Sequence, residues 1–208
     1  MIKTFIAICL CGLSIMATAQ LKYSGTKYGI SFQYPEGYIL KEGALDNKDT
    51  GIGYLGPTPM EFVAPHGVRA VTIEAPNGSY PGTDFVNAFF TVSINSYLTK
   101  AECEQFTDDR ALAPRKELVK EISQLKFQGA GIGFGGAGHQ FSGVYYHGFS
   151  EGSCYEVGYG MATAGYGAVE GMKRVDSAKV FSILERVLST VTIRIPAAGR
   201  SDGVRPKD

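Results

Sequence analysis

Apolar and polar side chains alternate through Gly29-Ile30-Ser31-Phe32-Gln33-Tyr34, pause at Pro35-Glu36-Gly37, and resume in Tyr38-Ile39-Leu40. A period of two predicts extended backbone with one buried face, and a proline beside a glycine predicts a turn, so this segment reads as a β-hairpin. Asn47 to Pro59 is rich in Gly, Asp and Pro and reads as loop, while Met60 to Val63 and Val68 to Ala75 read as strands. The clearest strand runs from Phe85 to Tyr97: Phe90, Val92 and Ile94 share one face, and Thr91, Ser93 and Asn95 the other. Thr99-Lys100-Ala101-Glu102 has the spacing of a capping box, which places Cys103 in the first turns of a short helix.

A second strand group follows in Leu125 to Ile132, Gln140 to His147 and Cys154 to Ala162, separated by glycine clusters of hairpin length. The period then changes. Val180, Phe181, Leu184, Val187 and Leu188 recur at three and four residues behind a possible cap at Asp176, which predicts a helix with a wide apolar stripe that needs a sheet to cover. Val191 to Ile195 predicts a last strand before Pro196, and Pro196 to Asp208 has the small, charged, aperiodic composition of a solvated tail. The expected fold is one α+β domain over residues 20–195, an antiparallel-rich sheet covered by helices.

The opening Tyr28-Gly29-Ile30-Ser31-Phe32-Gln33-Tyr34-Pro35-Glu36-Gly37-Tyr38, followed by mostly β structure and a closing amphipathic helix, resembles exported bacterial domains of the PsbP-like α/β/α sandwich class. The resemblance spans Lys27 to Ile195 by pattern and implies that sandwich fold. It implies no reaction, and no site residue carries over from it.

The N-terminus changes how the composition is read. Lys3, the apolar run from Phe5 to Met16 and Ala17-Thr18-Ala19 have the three-part form of a cleaved secretory signal, and the run is shorter than the roughly 20 residues a spanning helix needs. A mature chain from Gln20 would keep 19 of the 20 basic residues and all 20 acidic ones, a net charge of −1. Attraction to nucleic acid or anionic lipid is not implied, and no stable membrane anchor is expected. Cleavage also removes two of the four cysteines, leaving Cys103 and Cys154 alone in an oxidising compartment, either secreted or periplasmic. They are expected to form one disulfide.

Three motifs invite a chemical reading. Gly148-Phe149-Ser150-Glu151-Gly152 spells the G-x-S-x-G nucleophile elbow, but a strand pattern follows it and no histidine lies downstream, so a turn explains the same letters. A hydrolase built on Ser150 would need His139 or His147 as its base. Gly129 to Gly138 holds six glycines in ten residues and satisfies G-x-G-x-x-G, yet His139-Gln140-Phe141-Ser142 promises a strand where a dinucleotide site needs a helix. A flexible loop or ligand-covering flap is the expectation there.

His139, His147 and Glu151 are the local set of metal-ligand types, but eight residues of strand would hold the two imidazoles about 27 Å apart. The aromatic set Tyr145, Tyr146, Phe149, Tyr155, Tyr159 and Tyr166 could in part be exposed for recognition, with Tyr146 or Tyr166 the outward members. No catalytic, metal or cofactor residues are assigned. The expected function is an exported, non-catalytic domain that binds a protein or cell-envelope component. The alternatives are a small serine hydrolase using Ser150 and a small-ligand carrier with a glycine-rich flap.

Overall fold

The computed structural model describes residues 19–43, 66–76, 78–104 and 118–194. The signal segment, the strand expected at Met60 to Val63, the loop expected at Asn47 to Pro59 and the C-terminal tail lie outside the described residues. Two antiparallel sheets face one another. The smaller has the order β1-β2-β10, from β1 (Gln20–Gly25), β2 (Ile30–Pro35) and β10 (Thr192–Ile193). The larger has seven strands in the order β3-β4-β5-β9-β8-β7-β6. They are β3 (Ile39–Glu42), β4 (Val68–Glu74), β5 (Phe85–Asn95), β6 (Leu118–Ile122), β7 (Leu125–Gly136), β8 (His139–Ser150) and β9 (Ser153–Ala164).

The expected sheet covered by helices is not what forms. Among the described residues the helices are α1 (Lys100–Cys103), a single turn, and α2 (Ser177–Ser189). The covering layer is instead α2 together with the three-stranded sheet. Val180, Leu184, Val187 and Leu188 are buried as their spacing predicted, and the Phe181 ring meets Tyr159 edge-on at 5.9 Å between centroids. From the small sheet Tyr23, Ile30, Phe32 and Ile193 enter the same core, where Phe32 packs edge-on against Phe90 at 5.3 Å.

The hairpin expected across Pro35 to Gly37 also fails to form. Instead the turn passes the chain from one sheet to the other: β2 pairs with β1 and β10, while β3 pairs with β4. Alternation specifies that each strand has a buried face but not which strand lies beside it. β1 itself, with only Tyr23 buried, and β6 carry too few apolar positions to stand out in the sequence. The β6–β7 turn is built on Ser123 and Gln124, both at positive φ, so it lacks the glycine or asparagine that normally marks such a turn.

The glycine run is strand to Gly136, not loop, and turns only at Ala137-Gly138, whose φ values of 49° and 81° suit a tight hairpin. These glycines, with others on β8 and β9, make room for rings. Tyr145 lies directly across from Gly158, and a Cβ there would overlap its ring; Tyr146 stands in the same relation to Gly129. Phe127 covers Gly148, and Phe141 covers both Gly143 and Gly160. Because a glycine leaves the ring face in contact with backbone, large aromatics lie flat within a densely packed sheet.

The same pattern yields a graded expectation. Gly158→Ala forces the Tyr145 ring aside and should destabilise the domain by about 2 kcal/mol, within the usual range for overpacking. Gly131→Ala meets nothing within 4 Å and should change stability by less than about 0.5 kcal/mol. Urea unfolding of both variants checks the contrast, and equal effects would contradict the packing account.

Candidate functional site

Cross-strand neighbours place a row of polar side chains on the large sheet's outer face. Arg69 of β4 pairs with Ser93 of β5, Ser93 with Glu156 of β9, and Glu156 with His147 of β8. All four are buried. His147 Nε2 lies 3.0 Å from Glu156 Oε2, and its Nδ1 lies 3.0 Å from the Cys103 carbonyl oxygen. A carbonyl only accepts, so Nδ1–H donates to it, and one proton is left to share between Nε2 and Glu156. Burial raises the Glu156 carboxyl to about 7, opposed by its hydrogen bond to His147 and by the charges of His147 and Arg69. Arg69 is itself pulled below its ordinary value by burial and held up by the negative charge of Glu74 and Glu156. Glu74 in turn bonds Lys41 at 3.0 Å.

The Cys103–Cys154 disulfide forms as expected, with the sulfurs 2.06 Å apart and the Cα atoms 5.5 Å apart. It fixes α1 over the end of β8 and β9, so the Cys103 carbonyl reaches His147. The capping box forms too: the Thr99 hydroxyl accepts from Glu102 N–H, and the Glu102 carboxylate from Thr99 N–H at 2.7 Å.

The structure does not assemble the other candidate chemistry around His147. Ser150 is an odd number of residues away on an unbroken strand, so the two side chains leave opposite faces of the sheet. Both nitrogens of His147 are engaged by Cys103 and Glu156. Gly148 to Gly152 is the end of β8 and a tight turn at Glu151-Gly152, with φ values of 48° and 73°, that leads straight into β9. His139 is exposed at the far end of β8, and eight residues of continuous strand put it about 27 Å from His147. Among the described residues no group of three or more His, Cys, Asp or Glu side chains could hold a metal ion. Of the two tyrosines expected to face outward, Tyr146 is buried and Tyr166 is half exposed.

Tyr166 leads to a different place. At the Gly138 end of the large sheet's inner face, just before α2 begins, is an open cleft of about 270 Å³. Its hydrogen-bonding walls come from Gln140 and Ser142 of β8, Thr163 of β9, Tyr166 and Arg174 of the β9–α2 connection, and Ser177 at the start of α2. The Arg174 guanidinium carbon lies 4.3 Å from the centroid of the Tyr166 ring, which orients both groups.

The connection carrying them is fastened to the chain before β5. Val175 N–H donates to the Asp84 carboxylate at 2.8 Å, Asp84 N–H to the Lys173 carbonyl at 2.9 Å, and Lys173 N–H to the Gly82 carbonyl at 3.1 Å. The Gly138 turn forms one lip, and its carbonyl accepts from Gly165 N–H at 3.0 Å, which ties down the segment expected to be a flap.

Sequence reasoning missed the cleft because its residues are ordinary polar positions spread over three segments; the His139-Gln140-Phe141-Ser142 stretch after the β7–β8 turn is the one local signal. It missed the buried row as well, although an arginine and a glutamate inside otherwise apolar strand patterns, in Val68 to Ala75 and Cys154 to Ala162, were visible as exceptions.

No protein-family model and no curated protein matches the chain. Several solved structures are similar to it. A Bacteroides thetaiotaomicron chain shares 14% identity at a TM-score of 0.45, over 85% of this chain and 49% of that one, so this chain spans about half its length. LpqN of Mycobacterium tuberculosis, described as involved in cell envelope biogenesis, shares 9% identity at a TM-score of 0.48, over 86% of this chain and 92% of that one. The PsbP protein CyanoP of Synechocystis shares 14% identity at a TM-score of 0.43, over 90% of this chain and 99% of that one. A PsbP protein therefore stands among the similar folds, as the opening residues implied, and the likeness concerns fold alone.

The buried row sets a pH dependence. Because folding raises the Glu156 carboxyl, the native state keeps a proton that the unfolded chain has already released between about pH 4.5 and about pH 7. Its contribution is therefore complete below pH 4.5 and lost as pH rises through 7. Glu156→Gln keeps a hydrogen-bonding group but cannot ionise, so thermal unfolding followed from pH 4.5 to 8 should show the variant gaining on the wild type as pH rises. Parallel curves would contradict this assignment.

Proposed function

We propose that this chain is an exported, non-catalytic binding domain and that the cleft between the Gly138 end of the large sheet and the start of α2 receives a component of the cell envelope. The observation that carries the reading is the cleft itself. Hydrogen-bonding side chains, an aromatic ring and a guanidinium converge on a volume large enough for a small ligand or one unit of a larger one. Strands and a doubly anchored connection hold the backbone under these groups, so little backbone entropy would be lost on binding.

Export is supported by the signal pattern at Met1 to Ala19, by the start of β1 at Gln20 and by the disulfide. Among the described residues no helix is long and apolar enough to cross a membrane. The buried row serves as structure in this reading, since its charged groups face one another and not solvent.

Filling the cleft provides the test. Ser142 is exposed on β8, and Ser142→Tyr would project a ring into the cleft without entering the core. Mature protein is mixed with isolated envelope of its host and sedimented. Wild type should pellet with the envelope, and the variant should stay in the supernatant at an unchanged unfolding temperature. Equal sedimentation of the two proteins would overturn the reading.

A further inference from the structure

We infer that the cleft, with the glycine strip beside it, binds an uncharged glycan chain; this rests on the binding role proposed above and names its ligand. Three features of the surface converge on that class. The first is charge. The cleft holds one guanidinium, Arg174, and one buried carboxylate, Asp84, so it presents no net field to attract an anion. The remaining polar walls are the hydroxyls of Ser142, Thr163, Tyr166 and Ser177 and the amide of Gln140, which both donate and accept and so match the hydroxyls of a sugar.

The second feature is the backbone. The cleft lies over the face of the sheet, where β8 is paired on both sides and β9 is paired with β5 and β8. Under the cleft itself no ladder positions are open, so a ligand there must be read by side chains and by shape; β7, which carries the strip, pairs with β6 only as far as Gly129, and among the described residues its other edge is unpaired from Ala130 to Gly136.

The third is the floor. Gln140 lies opposite Gly135, Ser142 opposite Gly133, and Val144 opposite Gly131, so these glycines share the cleft's face of the sheet. Gly131 and Gly135 are exposed, and a Cβ on Gly131 would meet nothing within 4 Å. The cleft therefore continues sideways onto a flat strip without side chains, where an extended chain of rings could lie against backbone. α2 does not close this side, because it packs on β9, β5 and β2. At the cleft end, the Tyr166 ring, braced by Arg174, offers an apolar surface for the C–H face of a sugar.

Gly131→Gln raises a side chain from open space across the strip, and Tyr166→Ala removes the exposed ring; neither touches the core. The mature protein and both variants are applied to an array of uncharged glycans printed beside sialylated and sulfated ones, and inorganic phosphate is added in a parallel thermal-shift series. The expected result is binding to uncharged oligosaccharides, weakened about tenfold in Tyr166→Ala, the size of one aromatic contact. Gly131→Gln should weaken binding to longer chains more than to short ones.

Binding only to charged glycans, no binding to any glycan, or stabilisation by phosphate that Arg174→Gln abolishes would each overturn the glycan assignment. The envelope sedimentation test separates this failure from that of the binding role. If Ser142→Tyr still fails to pellet, a different ligand occupies the cleft; if it pellets like wild type, the binding role falls as well.

Discussion

A charged row buried inside a β-sheet constrains everything built around it. Arg69, Glu156 and His147 could not be sequestered singly, because an isolated charge in an apolar interior is too costly to retain. Glu156 is answered by His147, His147 by the Cys103 carbonyl, and Arg69 by the negative charge of Glu74 and Glu156, with Glu74 in turn bonded to Lys41. The row fixes the register of β4, β5, β9 and β8, since slipping one strand by a single residue would send its charged member to the opposite face. It also explains the position of the disulfide. Cys154 lies two residues before Glu156 on the same face, and its bond to Cys103 holds α1 where a carbonyl can accept from His147. Such a row adds little net stability over apolar side chains of equal volume, but losing one member leaves its partner's charge buried and bare.

With the outer face committed to this lock, the inner face is divided. α2 and the three-stranded sheet bury its β5 and β9 half, where Phe90, Val157, Tyr159 and Leu184 form the core. Phe127 of β7 and Tyr146 of β8 belong to that core as well, and only the Gly131 to Gly135 stretch of β7 beside Gln140 to Val144 of β8 keeps a glycine-floored surface that ends in the polar cleft. One feature of the sequence therefore serves packing and exposure together. Glycines under Tyr145, Tyr146 and Phe141 let large rings lie flat, and glycines at 131 and 135 leave the strip open.

The sequence carried local pattern well and pairing poorly. The alternation from Phe85 to Tyr97, the stripe of α2, the Thr99 capping box and the Cys103–Cys154 bond were legible because each depends on spacing or on the chemistry of nearby residues. The assignment of β2 and β3 to different sheets depends on which strand lies alongside, and period-two alternation does not encode that. The glycine run was misread because composition alone cannot distinguish a strand cleared for cross-strand rings from a flexible loop. His147 was noticed for chemistry, but its partner Glu156 comes from another strand and its carbonyl acceptor from α1. The cleft gathers residues from β8, β9 and the α2 connection, which only the folded register brings together.

The central claim is that recognition takes place on the inner face while the outer face is structural, and hydrogen exchange of the mature protein, free and bound to sedimented envelope, tests it most directly. New protection is predicted in Gly138 to Ser142 and in Ala164 to Ser177, the walls of the cleft, with exchange around Ser150 and at the exposed face of α1 unchanged. Protection confined to the Ser150 turn or to α1, with the cleft walls exchanging as in the free protein, would contradict the account.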